Sequence, residues 1–148
     1  MRTIDAVRRS GIGIGPDKTV RDAAAIMEGT GVGSLAVVDG TRLVGIVTDR
    51  DLVRRALARG MPPDARVDGV MSSPVVTIPS DADLHEAYAL LRSKGVRRLA
   101  VVDDGRFAGM ITVDDLLVDL ADDLTDLARP VGAEIRSAHR DSTVPAEP

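Results

Sequence analysis

The 148-residue chain has no cysteine and no tryptophan, and its aromatic residues are one tyrosine, Tyr88, and one phenylalanine, Phe107. Without thiols there is neither a disulfide staple nor a thiolate metal site, a composition compatible with a reducing compartment. Two rings cannot build a platform on which successive bases stack. Long apolar runs are also missing: the longest purely aliphatic stretches, such as Leu35 to Val38, fall far short of a bilayer. The opening MRTIDAVRRSG has no apolar core of an export signal. Cations are outnumbered, 19 Lys and Arg against 23 Asp and Glu, for a net charge of -4 and a pI near 5.1. A protein that tracks duplex phosphates normally carries a clustered positive surface instead. These absences set three expectations: no membrane insertion, no nucleic-acid duplex as partner, and a cytoplasmic location.

Catalytic signatures are equally sparse. His85 and His139 are the only histidines and stand far apart in sequence, with no neighbours at ligand spacing. Gly11-Ile12-Gly13-Ile14-Gly15 resembles a phosphate loop in composition. It follows AVRRS rather than a buried strand, and no Gly-Lys-Ser/Thr occurs anywhere. The acidic pairs Asp103-Asp104, Asp114-Asp115 and Asp122-Asp123 read as turns, a cap and a wet helix face. No catalytic residue and no metal ligand is assigned, no cofactor is required, and the chain is not read as an enzyme.

What is present is a repeat. Residues 12 to 52 superpose on residues 76 to 116 at a constant offset of 64 without insertion or deletion. GVGSLAVVDGTRLVGIVTDRDL, from Gly31 to Leu52, aligns with GVRRLAVVDDGRFAGMITVDDL, from Gly95 to Leu116, and 12 of the 22 positions are identical. Chance would give roughly one, so both copies should follow one supersecondary plan.

That plan reads β, α, β, β, α. A strand comes first, Ile12 to Ile14 and Val75 to Ile78, ending at Gly15-Pro16-Asp17 and Pro79-Ser80-Asp81. A helix follows, with Val20, Ala23, Ala24 and Met27, or Leu84, Ala87, Leu90 and Leu91, on one face. Thr19 and Asp83 stand at its N-cap, Gly31 and Gly95 at its C-terminus. Strands Ser34 to Val38 and Leu43 to Val47, and then Leu99 to Val102 and Phe107 to Ile111, are joined at Asp39-Gly40 and Asp104-Gly105, pairs that favour tight hairpins. A second helix opens after Thr48 and after Thr112.

The RGMPPDAR segment, Arg59 to Arg66, breaks helix periodicity with a glycine and two prolines. The expected organisation is therefore repeat 1 at 3–58, a linker at 59–66, repeat 2 at 67–122, a helical extension at 123–136 and an unstructured tail at 137–148. Copies of about 60 residues without staples should bury their sheets against each other. Beyond Leu116 the positions Leu117, Leu120, Leu124, Leu127 and Val131 form a stripe opposite Asp119, Asp122, Asp123 and Asp126, and Pro130 should end or kink that helix. The stripe either completes a core or forms an interface.

VMSSPVVTIPSDADLHEAYALLRSKGVRRLAVVDD, followed by GMITVDDL, resembles the cystathionine β-synthase (CBS) domain, and the first copy matches through GVGSLAVVDGTRLVGIVTDRDL. The resemblance covers roughly residues 3 to 122. It implies an α+β CBS-domain pair, two βαββα repeats packed with pseudo-twofold symmetry plus a C-terminal helix. It also implies two clefts between the repeats that take adenosyl ligands such as AMP, ADP or ATP, and a regulatory role toward an enzyme or transporter. Modules of this kind commonly pair, so a homodimer is expected.

The motif Gly-h-h-Thr-x-x-Asp, with h apolar, has a chemical rationale of its own. Asp51 and Asp115 can accept both hydroxyls of a ribose, while Thr48 and Thr112 and the helix amides behind them suit a phosphate. Thr-x-x-Asp is also a common helix start, and that alternative stands beside it. By the resemblance, the first cleft uses Thr48, Asp51 and Ile46, is lined by Pro74 and Val76, and has Arg97 near the phosphate, with Arg50 assisting. The second and weaker cleft uses Thr112, Asp115 and Met110, is lined by Ile12, and has Gly33 in place of Arg97. For Arg97 and Arg98 a solvated corner is the alternative. The expected function is a stand-alone nucleotide sensor signalling by conformational change; the alternative is a CBS module for structure or protein interaction that binds no ligand.

Overall fold

The computed structural model describes residues 2–6 and 11–141. Its contacts divide the chain into one unit ending at Val113 and another beginning at Asp114. The first holds two three-stranded sheets. In order, strand β1 is Gly13–Ile14, helix α1 Val20–Thr30, β2 Ser34–Asp39 and β3 Arg42–Thr48. Helix α2, Asp49–Asp51, continues as a π-helix over Leu52–Leu57, and then come β4 at Thr77–Pro79, α3 at Leu84–Lys94, β5 at Arg98–Asp103 and β6 at Arg106–Thr112. Single 3-10 turns, Thr3–Ala6 and Val67–Gly69, precede the two copies.

Sheet registers repeat at the same offset as the residues. β1 lies parallel to β2 with Ile14 opposite Val37, and β4 parallel to β5 with Ile78 opposite Val101. β2 and β3 are antiparallel with Ser34 opposite Thr48, as β5 and β6 are with Arg98 opposite Thr112. Both hairpins carry a bulge at the same place, after Val37 and after Val101. At the second hairpin Asp104 and Gly105 both have positive φ, 49° and 76°. That is the backbone of a two-residue turn whose twist matches the strands it joins. The expected strands are all present, each hairpin strand one residue longer at one or both ends.

Helix α1 satisfies its orphan amides completely. Thr19 Oγ1 accepts from the Asp22 amide at 3.0 Å while Asp22 accepts from the Thr19 amide at 3.0 Å, a reciprocal capping box. The two remaining first-turn amides, of Val20 and Arg21, donate to the carbonyls of Ala65 and Pro63 at 2.8 and 3.1 Å. The segment 59–66 is thus anchored to a helix start rather than running free, because unpaired N–H groups there need acceptors.

The turns that lead into each copy are exchanged. Thr3 N–H donates to the Ala82 carbonyl at 2.8 Å, and Val67 N–H to the Lys18 carbonyl at 2.8 Å. Bridges Arg2–Asp83 and Thr19–Arg66 flank these bonds. Thr3 is fully buried, its hydroxyl donating to the carbonyl of Pro79 at 2.6 Å. Val67 and Val70 join Ile14, Ala23, Met27, Leu35, Val37, Val47 and Ala56 in the first copy's core. Each copy therefore begins on its neighbour. Strands β3 and β6 also touch, and Phe107 N–H donates to the Thr41 carbonyl at 3.3 Å.

The second unit is dominated by helix α4, Val113–Asp141. It passes through Pro130, so the expected break there does not occur; proline removes a single amide donor, and that loss leaves this helix continuous. The tail expected from residue 137 starts inside α4, and its part from 142 to 148 lies outside the described residues. Leu117, Leu120, Leu124, Leu127 and Val131 are each half or more exposed. No helix among the described residues is long and apolar enough to cross a membrane.

Candidate functional site

Strand β3 delivers Ile46 and Thr48 to the start of α2. Thr48 is the N-cap: its hydroxyl oxygen accepts from the Asp51 amide at 3.0 Å, and Asp51 accepts from the Thr48 amide at 3.0 Å. The helix-start reading is correct as far as it goes. It does not exhaust the carboxylate, since a carboxylate offers about four lone-pair sites and the cap uses one. The Asp51 side chain keeps 12% of its surface exposed, with Arg55 Nε at 3.7 Å from one oxygen.

A second stretch of chain lies against this corner. Ile46 and Ser72 exchange backbone hydrogen bonds, Ile46 N–H to Ser72 O at 3.0 Å and Ser72 N–H to Ile46 O at 2.7 Å. The Ser72 hydroxyl stands 3.5 Å from each Asp51 oxygen, the outer limit of hydrogen bonding. Gly45 explains the close approach. A Cβ there would meet Met71 Sδ at 2.5 Å and the Ser72 carbonyl at 3.0 Å, so a side chain at the motif's glycine would push the lead segment off β3. Arg55 fixes the same segment by donating to the Met71 carbonyl at 3.1 Å.

Of the first-cleft residues expected from sequence, the structure thus gathers Thr48, Asp51 and Ile46. Pro74, exposed, and Val76, half-buried, follow Ser72 along the chain toward β4, and the Val76 carbonyl accepts from Ala100 N–H at 3.1 Å. Its counterpart Ile12 accepts from Ala36 N–H at 3.0 Å. Arg50 and Asp51 line one depression of about 400 Å³ together with Arg54, Arg55 and Arg59. Ser72 and Arg55 are participants that sequence reasoning missed. A serine in the Ser-Ser-Pro of the second lead segment was visible, but nothing local tied it to a residue 21 positions earlier.

The backbones at positions 33 and 97 each close onto a turn of their own copy. The Gly33 carbonyl accepts from Asp49 N–H at 3.0 Å, beside the Thr48 turn, and the Arg97 carbonyl accepts from Val113 N–H at 2.9 Å, beside the Thr112 turn. The ladder is the reason: strands β2 and β3, and β5 and β6, are paired to their ends, so each strand's first residues travel with its partner's last. Arg97 is exposed, in keeping with a solvated corner, whereas Arg98 is only half-exposed and its Nε is buried without a hydrogen-bond partner. Met110 and Thr112 lie on β6 opposite Ala100 and Arg98, and Asp115 stands in the first turn of α4. Among the described residues no group of His, Cys, Asp and Glu is arranged to hold a metal ion.

A protein-family model described as the CBS domain matches residues 5–58 and 67–122. The chain is 37% identical over 116 residues to an uncharacterised protein of Methanopyrus kandleri, which covers 76% of this chain and 59% of that protein. It therefore spans less than two thirds of that relative's length. Among solved structures it resembles a CBS domain designated NE2398, with a TM-score of 0.72 and 28% identity over 82% of this chain and 98% of the other. It also shares the fold of the CBS domain protein PAE2072 from Pyrobaculum aerophilum, solved in complex with AMP, with a TM-score of 0.70 and 24% identity over 82% and 98% of the two chains.

Proposed function

The chain belongs to the CBS-domain family, and from that premise we propose that it is a regulatory module that binds an adenosyl nucleotide at Thr48 and Asp51 and signals to a partner by a change of conformation. The observation that carries this reading is the Asp51 carboxylate: capped on one oxygen, still partly exposed, and approached only loosely by the hydroxyl of Ser72. A ribose supplies hydroxyls of the same kind at better distance. In this reading Ile46 and Val76 provide an aliphatic bed for adenine, Pro74 closes its edge, and the Thr48 hydroxyl with the α2 amides meets the first phosphate, Arg50 assisting. Arg97 is the proposed counter-charge for that phosphate. A second, weaker event is assigned to the Thr112 turn. The protein is in this view a cytoplasmic sensor and not a catalyst, and an assay for ATP turnover at high protein concentration checks that part.

Isothermal titration of the full chain with adenosine, AMP, ADP and ATP tests the proposal. Binding of one nucleotide per chain, lost in Asp51→Ala, is the expected result; the absence of heat with every member of the panel would leave the interaction reading in its place. That second reading has an observation of its own. Leu117, Leu120, Leu124, Leu127 and Val131 are spaced 3, 4, 3 and 4 residues apart and are 50 to 67% exposed. This is the a/d spacing of a helix that packs against another helix. We assign that stripe to a second copy of the chain, so that sensor and homodimer are compatible: the stripe joins copies while the Asp51 cleft takes the ligand.

A further inference from the structure

Strand β3 is an edge of its sheet, and the lead segment of the second copy crosses it at Ser72. The crossing is one isolated antiparallel bridge, made by the two mutual hydrogen bonds of Ile46 and Ser72. A bridge one residue long is a weak form of strand pairing, because each such bond exchanges a bond to water for one within the protein and gains little. Upstream the segment is anchored by Val67 and Val70 in the first copy's core, and downstream it leaves for β4. Between these anchors the further tie is Arg55, a residue of the π-helix Leu52–Leu57, a kind of irregularity that recurs at functional sites. Its Nη1 donates to the Met71 carbonyl at 3.1 Å while its Nε stands 3.7 Å from Asp51 Oδ1. One guanidinium thus spans the carboxylate of the first copy and the main chain of the second. Its planar fork permits this, since donors on different nitrogens point in fixed, divergent directions that a single ammonium does not reproduce. Asp51 keeps only 12% of its side chain exposed, so water screens the pair less than it would a surface pair. At the repeat's offset of 64 the position of Arg55 is taken by Asp119. A carboxylate has no proton to give a carbonyl, and this one stands four residues after a like charge, Asp115. The bridge is built into the first copy alone.

We propose that Arg55 is the positioning residue of the Asp51 cleft: it seats the segment 71–74 against the carboxylate, so that occupation of the cleft and closure of the junction between the copies are one event. The ligand half of this proposal rests on the nucleotide reading; the seating half does not. The unliganded chain exchanges between a seated and a lifted segment. A nucleoside that meets Asp51 and Pro74 together binds the seated form, and its apparent affinity carries the seated fraction. Arg55 raises that fraction from behind the carboxylate without touching the ligand.

The test follows amide hydrogen exchange by NMR in the unliganded full chain, and titrates the same proteins with adenosine and AMP. They are the wild-type chain, Arg55→Ala, Arg55→Lys and, as a control that removes the same charge at the far end of β3, Arg42→Ala. Melting temperatures establish that each is folded. In Arg55→Ala the Ser72 and Ile46 amides should exchange about tenfold faster, the loss of one hydrogen bond from a charged donor. The Ala36 amide, bonded to the Ile12 carbonyl toward the other edge of the sheet, should not change. Adenosine and AMP should weaken by the same factor, about threefold or more, because a seating defect is blind to phosphate. Arg55→Lys should resemble Arg55→Ala, and Arg42→Ala the wild type. Unchanged exchange at Ser72 in Arg55→Ala overturns the proposal, and so does a lysine variant that behaves as wild type, for then charge alone suffices. If Arg55→Ala weakens AMP and spares adenosine, Arg55 is a phosphate ligand and the positioning role is wrong while the nucleotide reading survives. If neither nucleoside binds the wild-type chain, the nucleotide reading falls and takes the ligand half with it, and the Ser72 exchange rates alone decide the seating.

Discussion

Two helices of the first copy start with the same device, and comparing them separates a cap from a binding site. Thr19/Asp22 and Thr48/Asp51 each form a reciprocal capping box with both hydrogen bonds at 3.0 Å. The second box follows the Gly45 contact with the Ser72 segment, and the first does not. Replacing either threonine by alanine removes an N-cap acceptor, a loss of about 1 kcal/mol. For a chain of this size that lowers the melting temperature by roughly 3 °C. Without ligand, Thr19→Ala and Thr48→Ala should therefore look alike.

Adding nucleotide should part them. A ligand at a hundred times its Kd stabilises the folded state by about 2.7 kcal/mol, or roughly 8 °C here. Thr19→Ala should keep this increment whole. Thr48→Ala should lose a substantial part, since the hydroxyl is assigned to the phosphate, and Asp51→Ala should lose nearly all of it. Differential scanning fluorimetry with and without ATP measures each increment within one plate. The reasoning is refuted if the nucleotide increment is the same in Thr19→Ala and Thr48→Ala, for then the second box is only a helix start.

Arg97→Ala should weaken AMP about tenfold or more while leaving adenosine nearly unchanged, because only AMP has a phosphate to lose; titration with both ligands decides it. Asp115→Ala should leave the tight event intact, and if it proves more damaging than Asp51→Ala the principal site belongs to the Thr112 turn, where the Arg97 backbone lies. Leu120→Asp/Leu127→Asp should convert a dimer to a monomer of 15.6 kDa in light scattering, and a wild-type chain that is already monomeric across micromolar concentrations refutes the α4 pairing. Asp22, Asp68 and Asp83 are held below the ordinary carboxylate value of 3.8, Asp22 by the Thr19 backbone amide, Asp68 by the Arg66 guanidinium and Asp83 by the His85 amide. Groups lowered in the folded state stabilise it above the unfolded value and lose that contribution as pH falls through the folded one. The melting temperature should thus decline on acidification below about pH 4, and less steeply in the triple Asn variant, with a small difference because Asp22 and Asp83 are exposed and Asp68 is half-exposed.

Most of the fold was legible because its signals are local. Apolar spacing, Gly31 and Gly95 at helix ends, and Asp104-Gly105 at a hairpin each act within a few residues, and the offset of 64 let one copy check the other. The site was legible only where the motif itself reached, at Ile46, Thr48 and Asp51. Ser72 escaped because its approach depends on the space left by Gly45, a contact between distant segments. The backbone bonds of Arg97 and Gly33 depend on strand pairing carried to its last residue, which periodicity does not encode. The π register over Leu52–Leu57 has no counterpart in the aligned second copy, where α4 runs as an ordinary helix from Val113, so the repeat that guided the rest of the reading pointed away from it.

The exchange of lead-in turns bears on how such a chain can come to exist. A single copy severed at the seam would present Ala82 or Lys18 carbonyls with no donor, and could recover one only by meeting another copy and trading turns with it. That encounter is second order and slows with dilution. Joining the copies through residues 59–66 makes it first order, at an effective concentration set by the tether and reaching millimolar for short ones. Assembly of the two halves then no longer depends on how much protein the cell makes, and the two ends of the chain become free to specialise: the same scaffold holds four arginines beside Asp51 in one half and a long apolar-striped helix in the other.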